Sequence, residues 1–257
     1  MKAVWKPALL FVFLLIITLL VNMPVQHLLA RINMPAAIKV SQLQGNLLGG
    51  QVGTLMINQF IIRDLEYQVD SSCLLSASLC YQLNFSGGSV SIRYLPVARS
   101  TEVSQLDAEL SISNLDGLAD QWLFKPSGSL YLSSTRLLFT QGRLADIDAV
   151  VVWKEAGIAG EDINLGDYQL NIKKGVGQYQ VELVDKEAVL DVEGEGTLNS
   201  GGNYSLNINI KSSSGLDARV KSALEFITSH KRLNQYQIRL SGISDKILLS
   251  YISFENP

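Results

Sequence analysis

Two histidines and two cysteines are all that 257 residues supply of the side chains that most often hold metals or act as bases and nucleophiles. His27 stands beside a long apolar run and His230 at the end of a helical pattern, so neither is placed as a general base. Cys73 and Cys80 have no histidine near them, which argues against structural zinc, and their spacing is too wide for a Cys-x-x-Cys redox motif. No Gly-x-Ser-x-Gly elbow, no Walker A loop and no His-Glu-x-x-His occurs. The Ser86–Val90 stretch, "SGGSV", has the composition of a turn. The acids of "DVEGEG", Asp191, Glu193 and Glu195, fall short of the about six to eight oxygens a hard cation wants, and alternate acids on a solvent-facing strand give the same spacing. The sequence thus predicts a protein that is not an enzyme, with no catalytic residue, no metal and no cofactor.

Charge is scarce as well. Charged residues make up 18 % of the chain, against roughly 25 % in a typical soluble domain. The formal net charge is −3 and no dense basic run exists, so nucleic acid is not an expected partner.

The low charge has a local source. "MKAVWKPALLFVFLLIITLLVNMPVQ" opens the chain, and its apolar part from about Ala8 to Val25 approaches the roughly 20 residues that cross a bilayer core. Lys2 and Lys6 precede it, so the positive-inside rule keeps the N-terminus in the cytoplasm and sends residues beyond about Met23 across the membrane. No Ala-x-Ala cleavage site follows, and no cysteine lies near the run, so an uncleaved anchor is expected rather than a signal peptide or a lipoprotein. Residues 1–25 are assigned to the cytoplasmic end and anchor, and 26–37 to a membrane-proximal connector. In an exported chain Cys73 and Cys80 meet an oxidising compartment. A disulfide and two buried thiols are both open to such a pair, and the disulfide is the expectation put forward.

From Ile38 the texture changes to period two. "AIKVSQLQGNLLGGQVGTLMI", "GSLYLSSTRLLFTQG" and "YQLNIKKGVGQYQVELVDKEAVLDVEGEG" alternate apolar and polar residues between Gly-, Asn- and Ser-rich turns, the pattern of antiparallel strands and hairpins. About fifteen short strands are expected. One amphipathic helix is predicted at about 214–230, where Leu216, Val220, Leu224 and Ile227 share a stripe, Ser213 or Ser214 caps the start, and His230, Lys231 and Arg232 suit the negative end of the helix dipole. A shorter helical turn is read at Asn114–Trp122.

Tyr-Gln-aliphatic triplets recur at Tyr67, Tyr81, Tyr168, Tyr179 and Tyr236, and two of them read Tyr-Gln-Leu-Asn. Each triplet fits a strand. About fourteen residues before each Tyr-Gln-Leu-Asn stands an aromatic in a hydrophobic strand, Tyr67 and Trp153. The cadence predicts two similar β-rich halves, 38–125 and 126–257, in a curved or sandwich-like antiparallel sheet.

The order of these elements resembles the type II secretion system protein N family. The resemblance is carried by Gly45, Leu47 and Gly49 in "GNLLGG", Leu65 and Tyr67 in "LEYQV", and Leu74 and Leu75. It continues through Pro126, Gly128, Leu130 and Leu132 in "KPSGSLYL", then Trp153 and Ala156 in "VWKEA", and Leu165, Gly166, Tyr168 and Leu170 in "LGDYQL". Tyr67 stands where the family often has Trp, and "NLLGGQVGTLM" lacks the Trp of the family's Gly-Thr-Leu-Trp element. The resemblance implies an accessory inner-membrane, periplasm-facing subunit of the machine that exports folded proteins. It would act by assembly or scaffolding alongside other inner-membrane secretion subunits and the outer-membrane secretin, and touch membrane lipid through its anchor. It implies no catalytic residues. A second reading comes from the strand pattern itself: a continuous apolar face left open would form a trough for lipid.

Overall fold

The computed structural model describes residues 38–57, 60–112, 125–141, 143–160, 163–212, 216–228, 230–232 and 234–243, with residues 22–29 and scattered positions before them. Part of the Ala8–Val25 run, and the helical turn expected at Asn114–Trp122, lie outside these residues. The described positions of the run, Leu9, Phe11, Val12, Leu15, Thr18 and Leu19, are helical, and the five apolar ones are exposed. Among the described residues no helix is long and apolar enough to cross a membrane. A short helix, α1, spans Val25–Leu29.

Contacts divide the chain into two compact units, Met1–Ser86 and Gly87–Pro257. The first holds β1 (Ile38–Gly45), β2 (Gly49–Ile57), β3 (Phe60–Asp70) and β4 (Leu79–Phe85), each antiparallel to the next. Period-two residues pair as they must for one face to be apolar: Val52 lies opposite Leu65, and both are buried. The ladder breaks along one row. Gln42 and Asp64 adopt left-handed backbone, and the registers on both sides of Gly53 skip a residue. The register is the same on either side of this row, so the interruption unpairs one residue per strand without slipping the strands.

The second unit holds β5 (Gly88–Leu95), β6 (Ser100–Ser111), β7 (Pro126–Thr140), β8 (Arg143–Ile158), β9 (Asn164–Lys174), β10 (Tyr179–Ala188), β11 (Leu190–Leu198), β12 (Asn203–Ser212), α2 (Ala218–Ile227), β13 (His230–Arg232) and β14 (Gln235–Ile243). Strands β5 to β12 run as an antiparallel meander, β14 pairs with β12, and β13 pairs with β14 at the edge. The boundary that the sequence places between residues 125 and 126 falls inside this unit. Strand β6 pairs with β7 along nearly its whole length there, from Ser100 opposite Thr140 to Ser111 opposite Ser129.

Register lines up one apolar row across seven strands: Leu132, Val151, Leu170, Leu183, Gly194, Ile208 and Ile238. The adjacent row on the opposite face, Asn171, Glu182, Glu195, Asn207 and Arg239, is polar. Each unit is therefore a single layer, and among the described residues no second sheet packs against it to make a sandwich. The core collects at one end of the apolar face, where Ala156, Tyr168, Leu190, Val192, Ile210 and Tyr236 meet Val220 and Leu224 of α2.

The helix is shorter than its sequence pattern suggests. It is capped by Asp217, whose Oδ1 accepts from the Arg219 amide at 2.8 Å, and it ends at Ile227 because Thr228 turns to extended backbone. His230–Arg232 is strand β13 rather than a basic last turn. The predicted stripe survives in Val220 and Leu224, which are buried. Away from α2 the apolar face is covered less, and Leu132, Val151 and Leu170 are only half-buried.

Candidate interaction surfaces

The residues singled out in the sequence gather at two places. In the first unit, Gly45 takes φ +115° and starts the β1–β2 hairpin. Asn46 closes that hairpin, its Oδ1 accepting from the amides of Leu48 at 2.9 Å and Gly49 at 3.1 Å. Tyr67 on β3 lies opposite Gly50 and donates its hydroxyl to the Asn46 carbonyl at 2.7 Å. A methyl group at Gly50 would meet the Tyr67 hydroxyl at 2.6 Å, so the bare backbone is what lets the ring lie there. Gly45, Gly49, Leu65 and Tyr67 thus belong to one packed corner. Burial pushes the Tyr67 hydroxyl up from its ordinary pKa, with the neighbouring Tyr81 adding to it.

At the same end of this unit, Ser71–Ser76 form a 3₁₀ turn, with Asp70 accepting from the Ser72 amide at 2.9 Å. Cys73 is buried and bridged to Cys80, which lies across from Asp70 at the start of β4. The bridge holds a loop whose Leu74 and Leu75 face solvent.

In the second unit, Pro126 opens β7 opposite Ile158, and Gly128 follows with φ +105°. Trp153 on β8 donates its indole N–H to the Ser127 carbonyl at 2.9 Å. Its ring sits 6.2 Å from that of Tyr168, tilted by 48°, an offset arrangement that favours aromatic pairs. Ala156 is wholly buried and lies opposite Gly166. The Tyr168 hydroxyl donates to the Leu165 carbonyl at 3.1 Å. Burial, assisted by the Asp185 carboxylate, raises its pKa to about 12. These positions brace backbone.

The remaining acids named from sequence, Asp191, Glu193 and Glu195, share one exposed face of β11, and Asp191 pairs with Lys211 at 3.2 Å. Among the described residues no group of three or more such side chains is disposed to hold a metal ion. A polar groove of about 600 Å³ lies over the same face, lined in part by Asn171, Gln180, Glu182, Thr197 and Asn207.

Sequence reasoning missed Tyr236, the most completely buried large side chain described, and Tyr179, whose hydroxyl reaches the Leu144 carbonyl 2.8 Å away across two strands. Both stand in Tyr-Gln-aliphatic triplets. The missing signal was the face: in both, the tyrosine turns to the core and the glutamine away from it.

A sequence-family profile, type II secretion system protein N, matches residues 36–239. The chain belongs to the type II secretion system protein N family. The match runs from just before β1 to Arg239 in β14, so it takes in both braced corners and the intervening strands of each unit. Neither a curated protein nor a solved structure gives a significant match. Membership in the protein N family makes the chain a component of type II secretion, a cell-envelope process, and implies interaction with other parts of that machinery.

Proposed function

We propose that this chain is an accessory inner-membrane subunit of type II secretion whose β region faces the periplasm and works by holding other subunits rather than by catalysis. The family match over residues 36–239 carries the reading. The form of the sheets supports it. The outer side of β1 has no strand partner among the described residues, only the Gln26 side-chain amide of α1 donating to the Leu43 carbonyl, and an edge without a strand partner accepts one from another protein. The apolar run before β1, with Lys2 and Lys6 ahead of it, supplies the anchor and an N-in topology. The partners are then other inner-membrane secretion subunits and the outer-membrane secretin. Crosslinking in native membranes followed by purification and mass spectrometry tests this. Recovery of those subunits is the expected result; recovery of lipid alone would overturn it. A reporter fused to the C-terminus should be active only on the periplasmic side.

One observation favours a second reading, in which lipid lies along the apolar face. Leu132, Val151 and Leu170 stay half-buried outside the cluster that α2 covers. Phospholipid that copurifies in stoichiometric amount, and is lost in Val151→Asp, would support it.

A further inference from the structure

Antiparallel strands put alternate connections at one end of a sheet, and in the second unit one such end is chemically distinct. The β5–β6, β7–β8 and β9–β10 turns stand side by side there. The Gln141 amide donates to the Arg99 carbonyl at 3.0 Å and the Tyr179 hydroxyl to the Leu144 carbonyl at 2.8 Å, tying the three together. Each is set by a left-handed residue: Arg99, Gln141 and Gly177.

Two of the turns push a valine into water. Val97 is 93 % exposed and Val176 fully exposed, although neither is needed there for turn geometry and each leaves a whole apolar side chain hydrated. Tyr94, near the same end, is also exposed. The flanking charges are of one sign. Arg99, Arg143, Lys173 and Lys174 are exposed, and the stretches "LPVARST", "FTQGRLA" and "IKKGVGQYQV" that form the turns contain no acid. The acids further along the strands are engaged: Glu102 and Asp146 pair with Arg136, and Asp146 also with Lys174. Asp148 lies opposite Lys173 and accepts from Thr135 at 2.9 Å. The β10–β11 turn at the other end shows the contrast. Its exposed Val189 stands among Asp185, Glu187 and Asp191, with Lys186 the one cation of that stretch and Asp191 paired with Lys211.

Apolar tips ringed by cations match a surface that offers phosphate oxygens over hydrocarbon. Shallow insertion recovers the apolar hydration cost while each cation near an anionic leaflet adds its own attraction. A nucleic acid or an acidic protein would use the cations but give the valines nothing to bury in. We propose that this row of turns docks on the surface of an anionic phospholipid bilayer, a contact separate from the N-terminal anchor and independent of any role in secretion.

The test places the photocrosslinking residue p-benzoylphenylalanine at Val97, Val176 or Val189 in the full chain, reconstituted into vesicles of phosphatidylcholine alone or mixed with phosphatidylglycerol. Phospholipid adducts are read by mass spectrometry. Adducts at Val97 and Val176 should rise about tenfold in the anionic vesicles, while Val189 stays low. The combined variant Arg99→Glu, Arg143→Glu, Lys173→Glu should abolish the rise. High salt should abolish it in the chain with those charges intact, which separates lost attraction from lost folding. Equal yields in the two kinds of vesicle, labelling of Val189 as strong as that of Val176, or adducts formed with protein instead of lipid would each overturn the proposal.

Discussion

Tyr67 in the first unit and Trp153 in the second reach across a neighbouring strand to a backbone carbonyl beside a left-handed glycine. The phenol donates to Asn46 O, next to Gly45, and the indole to Ser127 O, next to Gly128. A flat ring with a donor at its far end serves both sites, and phenol and indole are interchangeable in that respect. What surrounds the rings differs. Trp153 has Tyr168 beside it and packs against the buried cluster around Ala156. Among the described residues of the first unit only Val52, Leu65 and Cys73 are buried apolar residues, and the neighbouring loop is closed by the Cys73–Cys80 bridge. A four-stranded unit cannot bury much surface, and a covalent staple offsets that shortage. One local device has thus been set into two different sources of stability.

The comparison breaks most sharply at Gly166. Its φ of +95° is unfavourable for any side chain, and a methyl group there would overlap the Glu187 carbonyl and the Ala188 Cα. Gly166→Ala should cost roughly 3 kcal/mol or more, read as a lowered urea midpoint. Trp153→Ala should cost roughly 3 kcal/mol by opening a cavity beside Tyr168, whereas Tyr67→Ala should cost about half as much because its corner is partly open. Equal losses would show that the two corners draw on the same kind of packing. Reducing the Cys73–Cys80 bridge should cost about 2–3 kcal/mol from the freed loop. Hydrogen exchange should localise the loss to the first unit; a loss spread through the second would sink the idea that the staple serves its own unit. Labelling of both thiols in denatured, non-reduced protein would show that the bridge does not form. Tyr67→Phe keeps the ring and removes only the hydroxyl donor, so it should cost about 1 kcal/mol, whereas Trp153→Phe loses the five-membered ring of the indole along with its donor and should cost about 2 kcal/mol.

How much of this was legible in the sequence depends on range. Period two and the Gly- and Asn-rich turns are local, and they predicted a mainly β chain. The layer was not legible, because the same alternation serves a sandwich and a single sheet. The helix ends were misread for a similar reason. Ser213, Ser214 and Asp217 are all competent caps, and His230–Arg232 suits a helix end as well as a short edge strand until Thr228 is seen to leave the helix. Gly45, Gly128, Tyr67 and Trp153 stood out as family positions, but their coupling did not. Each hydrogen bond joins residues more than twenty apart, and it depends on register that no local window contains. The row of cationic turns was invisible for the same reason: Arg99, Arg143 and Lys173 are scattered in the chain and become neighbours only when alternate hairpins fall at one end.

At neutral pH the last expected effect is absent, and it appears only in alkali. Tyr168 loses its proton near its ordinary value of about 10 in the unfolded chain and at about 12 in the folded one. Between these values the folded chain keeps a proton that the unfolded chain has lost. The stabilisation is therefore complete below about pH 10 and drains away as the pH rises toward 12. Tyr67 is also raised, by burial first, so both corners add to the alkaline loss. The better buried one should contribute more. Denaturant titrations across this window should show a shallower decline for Tyr168→Phe than for Tyr67→Phe, each compared with the parent chain. If the two variants decline alike, the ring beside Trp153 is no better shielded than the one over Gly50, and the contrast drawn between the two corners fails at its most direct point.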